Sequence, residues 1–311
     1  VKQEDKNKYI NEKLSELEIS KKLQTHNRDD LLMAFDATSL YPSAMYDECS
    51  TYPKIETGFA FTSEMNNEIV NQFNTKTFTK SAILKIKYYN PEDIILQHIP
   101  VKEEVNKVEV NRLRNGYIVD VLTSVDIQEI VRIGGKVIEV YEGVIYRENY
   151  KVSPFRDFIK NLFDLRLKYK SEGQDILQEM VKLIMNSIYG QTIRRDIEDE
   201  FCCKTENWMK TEYDERVKDY WRLPNGHYIV QLSLDEGVDG EIDNKNTMPS
   251  QLGAFILSNS KRIMNNFVEV IDGFKTNNVF YQDTDSLYIE KKHWNTLNSV
   301  GIGRASCRER V

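Results

Sequence analysis

Apolar and polar positions divide the chain into segments of different period. Leu31–Phe35 is a short unbroken apolar run that stops on Asp36, the texture of a buried strand. Residues 82–88 alternate Leu84, Ile86 and Tyr88 with Lys85 and Lys87, which predicts a half-buried strand. Val137–Tyr141 and Val144–Tyr146 read as a strand pair turned by Glu142–Gly143. Over 155–189 the period changes: Phe155, Phe158, Leu162, Leu165 and Tyr169 recur at helical steps, and Ser171–Glu172–Gly173 interrupts them. A second helix then runs from about Gln174 to Tyr189, so the block predicts an antiparallel helical hairpin. Residues 196–250 are polar, acidic in two places and hold Trp208 and Trp221, the pattern of an inserted subdomain. Helical texture returns over 251–267, and Val279–Glu290 predicts a β-hairpin with a tight turn at Asp283–Thr284. Residues 1–30 are highly charged, with Ile10, Leu14 and Leu17 at helical spacing, a solvated lead-in helix.

Composition narrows the class. With 311 residues, 40% hydrophobic and 29% charged, the chain has material for one large or several ordinary domains, and disorder is excluded. No apolar run reaches the roughly eighteen residues of a membrane-spanning helix, and nothing near Val1 resembles a signal peptide. Four cysteines, with the adjacent pair Cys202–Cys203 lacking a second pair, support neither a zinc site nor a disulfide framework. The expectation is an intracellular protein with reduced thiols and no membrane partner. The net charge of −7 argues against a protein that coats nucleic acid indiscriminately. Residues 151–195 nonetheless hold nine Lys/Arg against five Asp/Glu, a local balance of 9 − 5 = +4, which leaves room for a basic cleft.

Three stretches carry candidate chemistry. In Asp36-Ala37-Thr38-Ser39-Leu40-Tyr41-Pro42-Ser43 an acid ends a buried strand before a turn of small and hydroxyl residues; Asp36 is either a helix cap or a ligand. In Tyr281-Gln282-Asp283-Thr284-Asp285-Ser286 two carboxylates one residue apart are either an ordinary polar turn or a cation site. In residues 182–190, Lys182, Asn186 and Tyr189 share one helix face, while Leu183, Ile184 and Ile188 can face the core. Arg166 and Lys170 lie on the preceding helix, and Arg166 and Lys182 each sit roughly 10–14 Å from the hairpin tip at ~1.5 Å per residue. These cations form either a solvated face or a seat for a triphosphate.

Taken together and in this order, FDATSLYPS, KLIMNSIYG and YQDTDS resemble the three polymerase motifs of family B DNA polymerases. The resemblance covers residues 31–301 and implies an α+β fold: a palm with an antiparallel or mixed sheet and helices, plus a helical-hairpin fingers subdomain. It divides the chain into palm with an insertion (31–151), fingers (152–195), an inserted subdomain (196–250) and palm again (251–301). The segments 122–126 (LTSVD) and 155–159 (FRDFI), with room for two insertions, are similar to the protein-primed branch of linear-genome phages, linear plasmids and self-synthesising transposons.

The resemblance implies roles residue by residue. Asp36 and Asp285 are the ligands of two Mg²⁺ ions, with Asp283 in a lesser catalytic role. Ser39, Leu40 and Tyr41, through their backbone, and Arg166, Lys170 and Lys182, through their charge, bind the triphosphate, with Lys168 a competitor for one of those places. Asn186 and Tyr189 line the nascent base-pair pocket, and Tyr41 lies under the sugar. The implied partners are a DNA template-primer, deoxynucleoside triphosphates and a terminal priming protein. Two rivals remain, an inactive polymerase-derived DNA-binding piece and a metal-dependent phosphohydrolase. The family's exonuclease precedes the first motif and its thumb follows the third. With 35 residues before Asp36 and 26 after Asp285, the expectation is a chain truncated at both ends. The last residues, Ile302–Val311, lose all apolar period and resemble one reading frame of a sequencing-library adapter, foreign to the fold.

Overall fold

A computed structural model describes residues 32–37, 39–105, 108–194, 199–211, 217–233 and 248–299. The charged lead-in and the segment Ile302–Val311 lie outside the described residues. The chain divides into two compact units, Val1–Tyr189 with Ala254–Val311, and Gly190–Gly253.

The first unit opens with β1 (Leu32–Asp36), which runs into a seven-residue helix, α1 (Leu40–Tyr46). Then come β2 (Gly58–Ala60), α2 (Asn66–Asn74), β3 (Ala82–Asn90), the hairpin β4 (Val101–Val105) and β5 (Val108–Arg112), β6 (Gly116–Thr123), α3 (Ser124–Arg132) and β7 (Lys136–Tyr146). The helical hairpin follows as α4 (Arg156–Ser171) and α5 (Asp175–Thr192). The second unit holds β8 (Asp199–Lys204), α6 (Glu206–Thr211), β9 (Val217–Arg222) and β10 (Tyr228–Ser233), whose strands form a sheet in the order β8-β10-β9. The long helix α7 (Ser250–Val270) leads to β11 (Val279–Asp283), β12 (Ser286–Glu290) and α8 (Trp294–Ser299). Every pairing between these strands is antiparallel, and the fold is α+β. Among the described residues no helix is long and apolar enough to cross a membrane.

Two sheets organise the first unit. The four-stranded sheet β2-β7-β3-β6 buries Leu84, Ile86, Tyr88, Ile118 and Leu122 against Ile69 and Phe73 of α2 and Ile127 and Ile130 of α3. Strict alternation along β3 puts Leu84, Ile86 and Tyr88 on one face, and an aliphatic side chain there contributes roughly 1.5–3 kcal/mol when fully buried. The three-stranded sheet β1-β12-β11 buries Phe35, Leu287 and Ile289 against Met264, Phe267 and Val268 of α7.

Buried polar groups lock α3 to α7. Asp126 takes a hydrogen bond from Ser258 Oγ (2.7 Å) and an ion pair from Lys261 Nζ (2.8 Å), while its backbone N–H is capped by Thr123 Oγ1. One turn on, Glu129 binds Arg132 and accepts from Asn265 Nδ2 (3.1 Å), and Arg132 reaches on to Glu269. A charge taken out of water costs several kcal/mol unless it is paired and hydrogen-bonded, and here both conditions are met. The segment 122–126, singled out in the sequence for its family likeness, is thus a structural joint.

Three local expectations are corrected. Glu142–Gly143 is no turn: β7 runs unbroken from Lys136 to Tyr146, with Gly143 opposite Leu84. A Cβ at Gly143 would lie 2.2 Å from Ile83 O, so this glycine serves a close backbone approach rather than a chain reversal. The hairpin tip at the other sheet is shifted by one residue. Asp283 pairs with Ser286, leaving Thr284 and Asp285 as the loop, with Thr284 at φ 47°. In the helical hairpin, Leu183 and Ile184 are exposed, and Val181 and Met185 fill the core side of α5. Likewise Phe158 is exposed beside a fully buried Ile159.

Candidate active site

The end of β1 and the tip of the β11–β12 hairpin meet because the two sequence-distant strands pair. Asp36 is opposite Ser286, and Ser286 is opposite Asp283, so these three residues share one face of the sheet. Phe35 and Leu287, one step back, point into the core. Asp285 stands in the loop beside them, and its carbonyl accepts a hydrogen bond from the Ala37 N–H (2.7 Å). Asp285 also borders a small cavity together with the buried apolar residues Phe35, Met264 and Leu287. Asp36 is strand to its last atom and caps no helix: the N-cap of α1 is Ser39, held left-handed at φ 55° without a side-chain cap. A positive φ at a non-glycine residue is uncommon and clusters at functional sites.

The ring of Tyr41, on the first turn of α1, lies parallel to that of Tyr189 on α5, centroids 4.2 Å apart and planes at 13°. Burial pushes the Tyr41 hydroxyl up from its ordinary pKa, and the nearby Asp285 carboxylate adds to the shift. Tyr189 is raised too, first by burial and then by Tyr41. The first and second sequence stretches therefore touch through this ring pair, and the first and third through backbone pairing.

The basic residues of the hairpin are less bare than their sequence spacing suggests. Lys182 is half-buried and pairs with Glu179 Oε2 at 3.2 Å, an i,i+3 contact legible from the helix period. Arg166 is half-buried; Lys168 and Lys170 are exposed, as is Asn186. Asp283 is exposed and accepts from its neighbour Thr284 Oγ1 at 3.2 Å. Among the described residues no three His, Cys, Asp or Glu side chains converge as a metal-holding group. What Asp36 and Asp285 offer is an oxygen-only, two-carboxylate set. That fits Mg²⁺, which keeps several waters and binds through one or two carboxylates plus substrate phosphates.

Sequence reading missed residues around this geometry. Asp47 and Glu48, just after α1, hold Arg262 of α7 and Arg156 of α4, at 2.7 and 2.6 Å. The separations, 215 and 108 residues, leave no local signal.

Beyond this geometry, the sequence pattern of the family described as DNA polymerase type B, organellar and viral, matches residues 18–274. The chain belongs to that family. The match stops short of the third stretch, which is tied to the first by the sheet pairing itself. Among relatives of this type B polymerase chain, a DNA polymerase of Kluyveromyces lactis is 23% identical over 278 residues, 85% of this chain and 24% of that protein. The uncharacterized protein 075R of Invertebrate iridescent virus 3 is 34% identical over 131 residues, 40% of this chain and 75% of that protein. Phi29 DNA polymerase in an orthorhombic crystal form shares the fold, with a TM-score of 0.54 at 15% identity, over 83% of this chain and 38% of that one. Its ternary complex with primer-template DNA and incoming nucleotide substrates gives 0.50 at 16% identity, over 85% and 40%. The type B chain thus spans about a quarter of the Kluyveromyces lactis polymerase and about two fifths of the phi29 enzyme.

Proposed function

We propose that this chain is the nucleotide-transfer core of a template-directed DNA polymerase. It adds a deoxynucleotide from its triphosphate to a DNA 3′-hydroxyl or, at initiation, to a hydroxyl of a priming protein. The observation that carries this reading is the meeting of all three stretches. Asp36 lies across the sheet from the strand that follows Asp285, and Tyr41 is stacked on Tyr189 of the helical hairpin.

In this reading Asp36 and Asp285 hold two Mg²⁺ ions. Bound there, the metals supply Lewis-acid activation of the primer hydroxyl and charge stabilisation of the pyrophosphate leaving group. The N–H groups of Leu40 and Tyr41 open α1 and have no partner within the helix, so they can meet phosphate oxygens; Pro42 has none to give. Arg166, Lys170 and Lys182 neutralise the triphosphate, with Lys168 in reserve, and Lys182 exchanges its pairing with Glu179 for the phosphate. Asn186 and Tyr189 bound the base pair. Tyr41, whose ring is fixed on one side by Tyr189, presents its other side to the sugar and excludes a 2′-hydroxyl by contact.

The test is primer extension by the full-length enzyme. Asp36→Asn and Asp285→Asn are each expected to lower incorporation by more than a hundredfold without changing the melting temperature by more than a few degrees, because an amide cannot replace a metal-binding charge. Asp283→Asn is expected to be milder. More than a few per cent residual rate in either of the first two variants would overturn the assignment.

A further inference from the structure

The helical hairpin touches α1 at both of that helix's ends. At the N-terminal end Tyr189 stacks on Tyr41. At the C-terminal end it is a charged clamp. Arg156, the first residue of α4, donates from Nη2 to Glu48 Oε1 at 2.6 Å and lays its guanidinium over the Tyr46 ring, 4.8 Å from the centroid. Tyr46 in turn meets Phe163 edge to face at 6.3 Å, about two helix turns further up α4.

The clamp is seated on a fixed base. Asp47, next to Glu48, closes α1 with its backbone N–H on Ser43 O and holds Arg262 of α7 at 2.7 Å. The same Arg262 nitrogen reaches Ser50 Oγ at 3.3 Å. Tyr52, fully buried, donates its hydroxyl to Ala44 O at 2.9 Å and meets Phe155 at the root of α4. A seven-residue helix is about 10 Å long and bends little, so its two ends move as one piece. Whatever sets the C-terminal end relative to α4 also sets where Tyr41 stands relative to Tyr189.

We propose that Arg156 is a positioning residue for the nucleotide pocket: by gripping Glu48 and Tyr46 it fixes α1 against the root of the helical hairpin, and so sets Tyr41 against Tyr189. Arg156 touches no substrate in this scheme. A guanidinium suits the task because it makes a directed hydrogen bond and a flat stacking contact at once, which an ammonium cannot. The consequence for nucleotide selection rests on the proposed function above; the positional claim does not.

Two readouts in the full-length protein keep those apart. The first is positional. With Tyr41→Cys and Tyr189→Cys combined, a short bifunctional thiol reagent should bridge the pair, and adding Arg156→Ala should slow bridging at least fivefold. Arg156→Lys should fall between the two. Glu48→Gln should also slow bridging, and Arg156→Ala with Glu48→Gln should be no worse than Arg156→Ala alone, since both remove one contact. The second readout is kinetic. Arg156→Ala should raise KM for deoxynucleotides and lower the preference over ribonucleotides, each about fivefold, with kcat within twofold. Unchanged bridging in Arg156→Ala would overturn the proposal. If Arg156→Ala does not fold, unchanged bridging in both Arg156→Lys and Glu48→Gln would overturn it equally. Slower bridging with unmoved KM and unmoved sugar preference would leave the positional role standing and count against the pocket reading of Tyr41.

Discussion

The four-stranded sheet with its two helices and the α4–α5 hairpin are similarly rich in apolar residues and use them in opposite ways. Seventeen side chains, among them Leu84, Ile86, Tyr88 and Ile127, form one buried cluster beneath the sheet. The hairpin buries Ile159, Val181 and Met185, and leaves Leu167, Ile176, Met180 and Leu183 more than half exposed. The sheet carries a core of its own. The hairpin is held at its root by contacts to α1 and has little to hold it further out. Regions with few buried contacts open at low free energy, and elements that move during function are drawn from them. The difference is one of local stability: the sheet has a core of its own, and the outer part of the hairpin has far fewer buried side chains.

The sharpest way to break this contrast is a truncation in the sheet core. Leu84→Ala, in the densest part of the sheet core, is expected to cost about 3 kcal/mol in urea unfolding, the sum of lost burial and a cavity. An effect below about 1 kcal/mol would mean that the sheet core is not what holds the chain together.

A smaller effect tests the seam between α3 and α7. His98 is buried edge-on to Phe274. Burial, helped by the positive charges of Arg132 and Lys261, lowers its pKa to about 3, so the folded chain keeps it neutral. Below pH 6.5 the unfolded chain takes up a proton that the folded one does not, so this contribution to stability is complete above pH 6.5 and drains away as pH falls toward 3. Between pH 7 and pH 5 the loss is about 2 kcal/mol from this residue. His98→Leu should flatten the acid limb of the stability curve by that amount; an unchanged limb would show that other groups dominate it.

The smallest expected effect is on the hairpin. Leu183→Gln, on the exposed side of α5, should change stability by less than about 0.5 kcal/mol. A cost near that of Leu84→Ala would erase the contrast.

The same two regions differ in how far they could be read from sequence. The period of Phe155, Leu162, Leu165 and Tyr169 and the break at Gly173 placed both helices of the hairpin within a few residues. Period alone locates a stripe but not what covers it: Leu183 and Ile184 can face a core on spacing alone, and Val181 and Met185 fill it instead. In the sheet, β3 was legible from its alternation, whereas Gly143 has the signature of a turn and the job of a close approach. At the site, Asp36, Tyr41, Tyr189 and Asp285 stood out as members of patterned stretches. Arg156 stood out only as part of the 155–159 stretch, with no sign of its partner, and Glu48, Asp47 and Arg262 did not stand out at all, because single charges whose partners lie more than a hundred residues away are indistinguishable from solvated ones until the fold pairs them.

Sixteen residues make α4 a rod about 24 Å long, pinned at one end by Arg156 and turning back at Gly173. A rod of that length is a lever. A tilt of about 10° at the pinned end sweeps the far end through roughly 4 Å, close to the ~3.4 Å spacing of stacked bases. Over the same tilt a side chain near the root, such as Ile159, moves by less than about 1 Å and can stay in its packing.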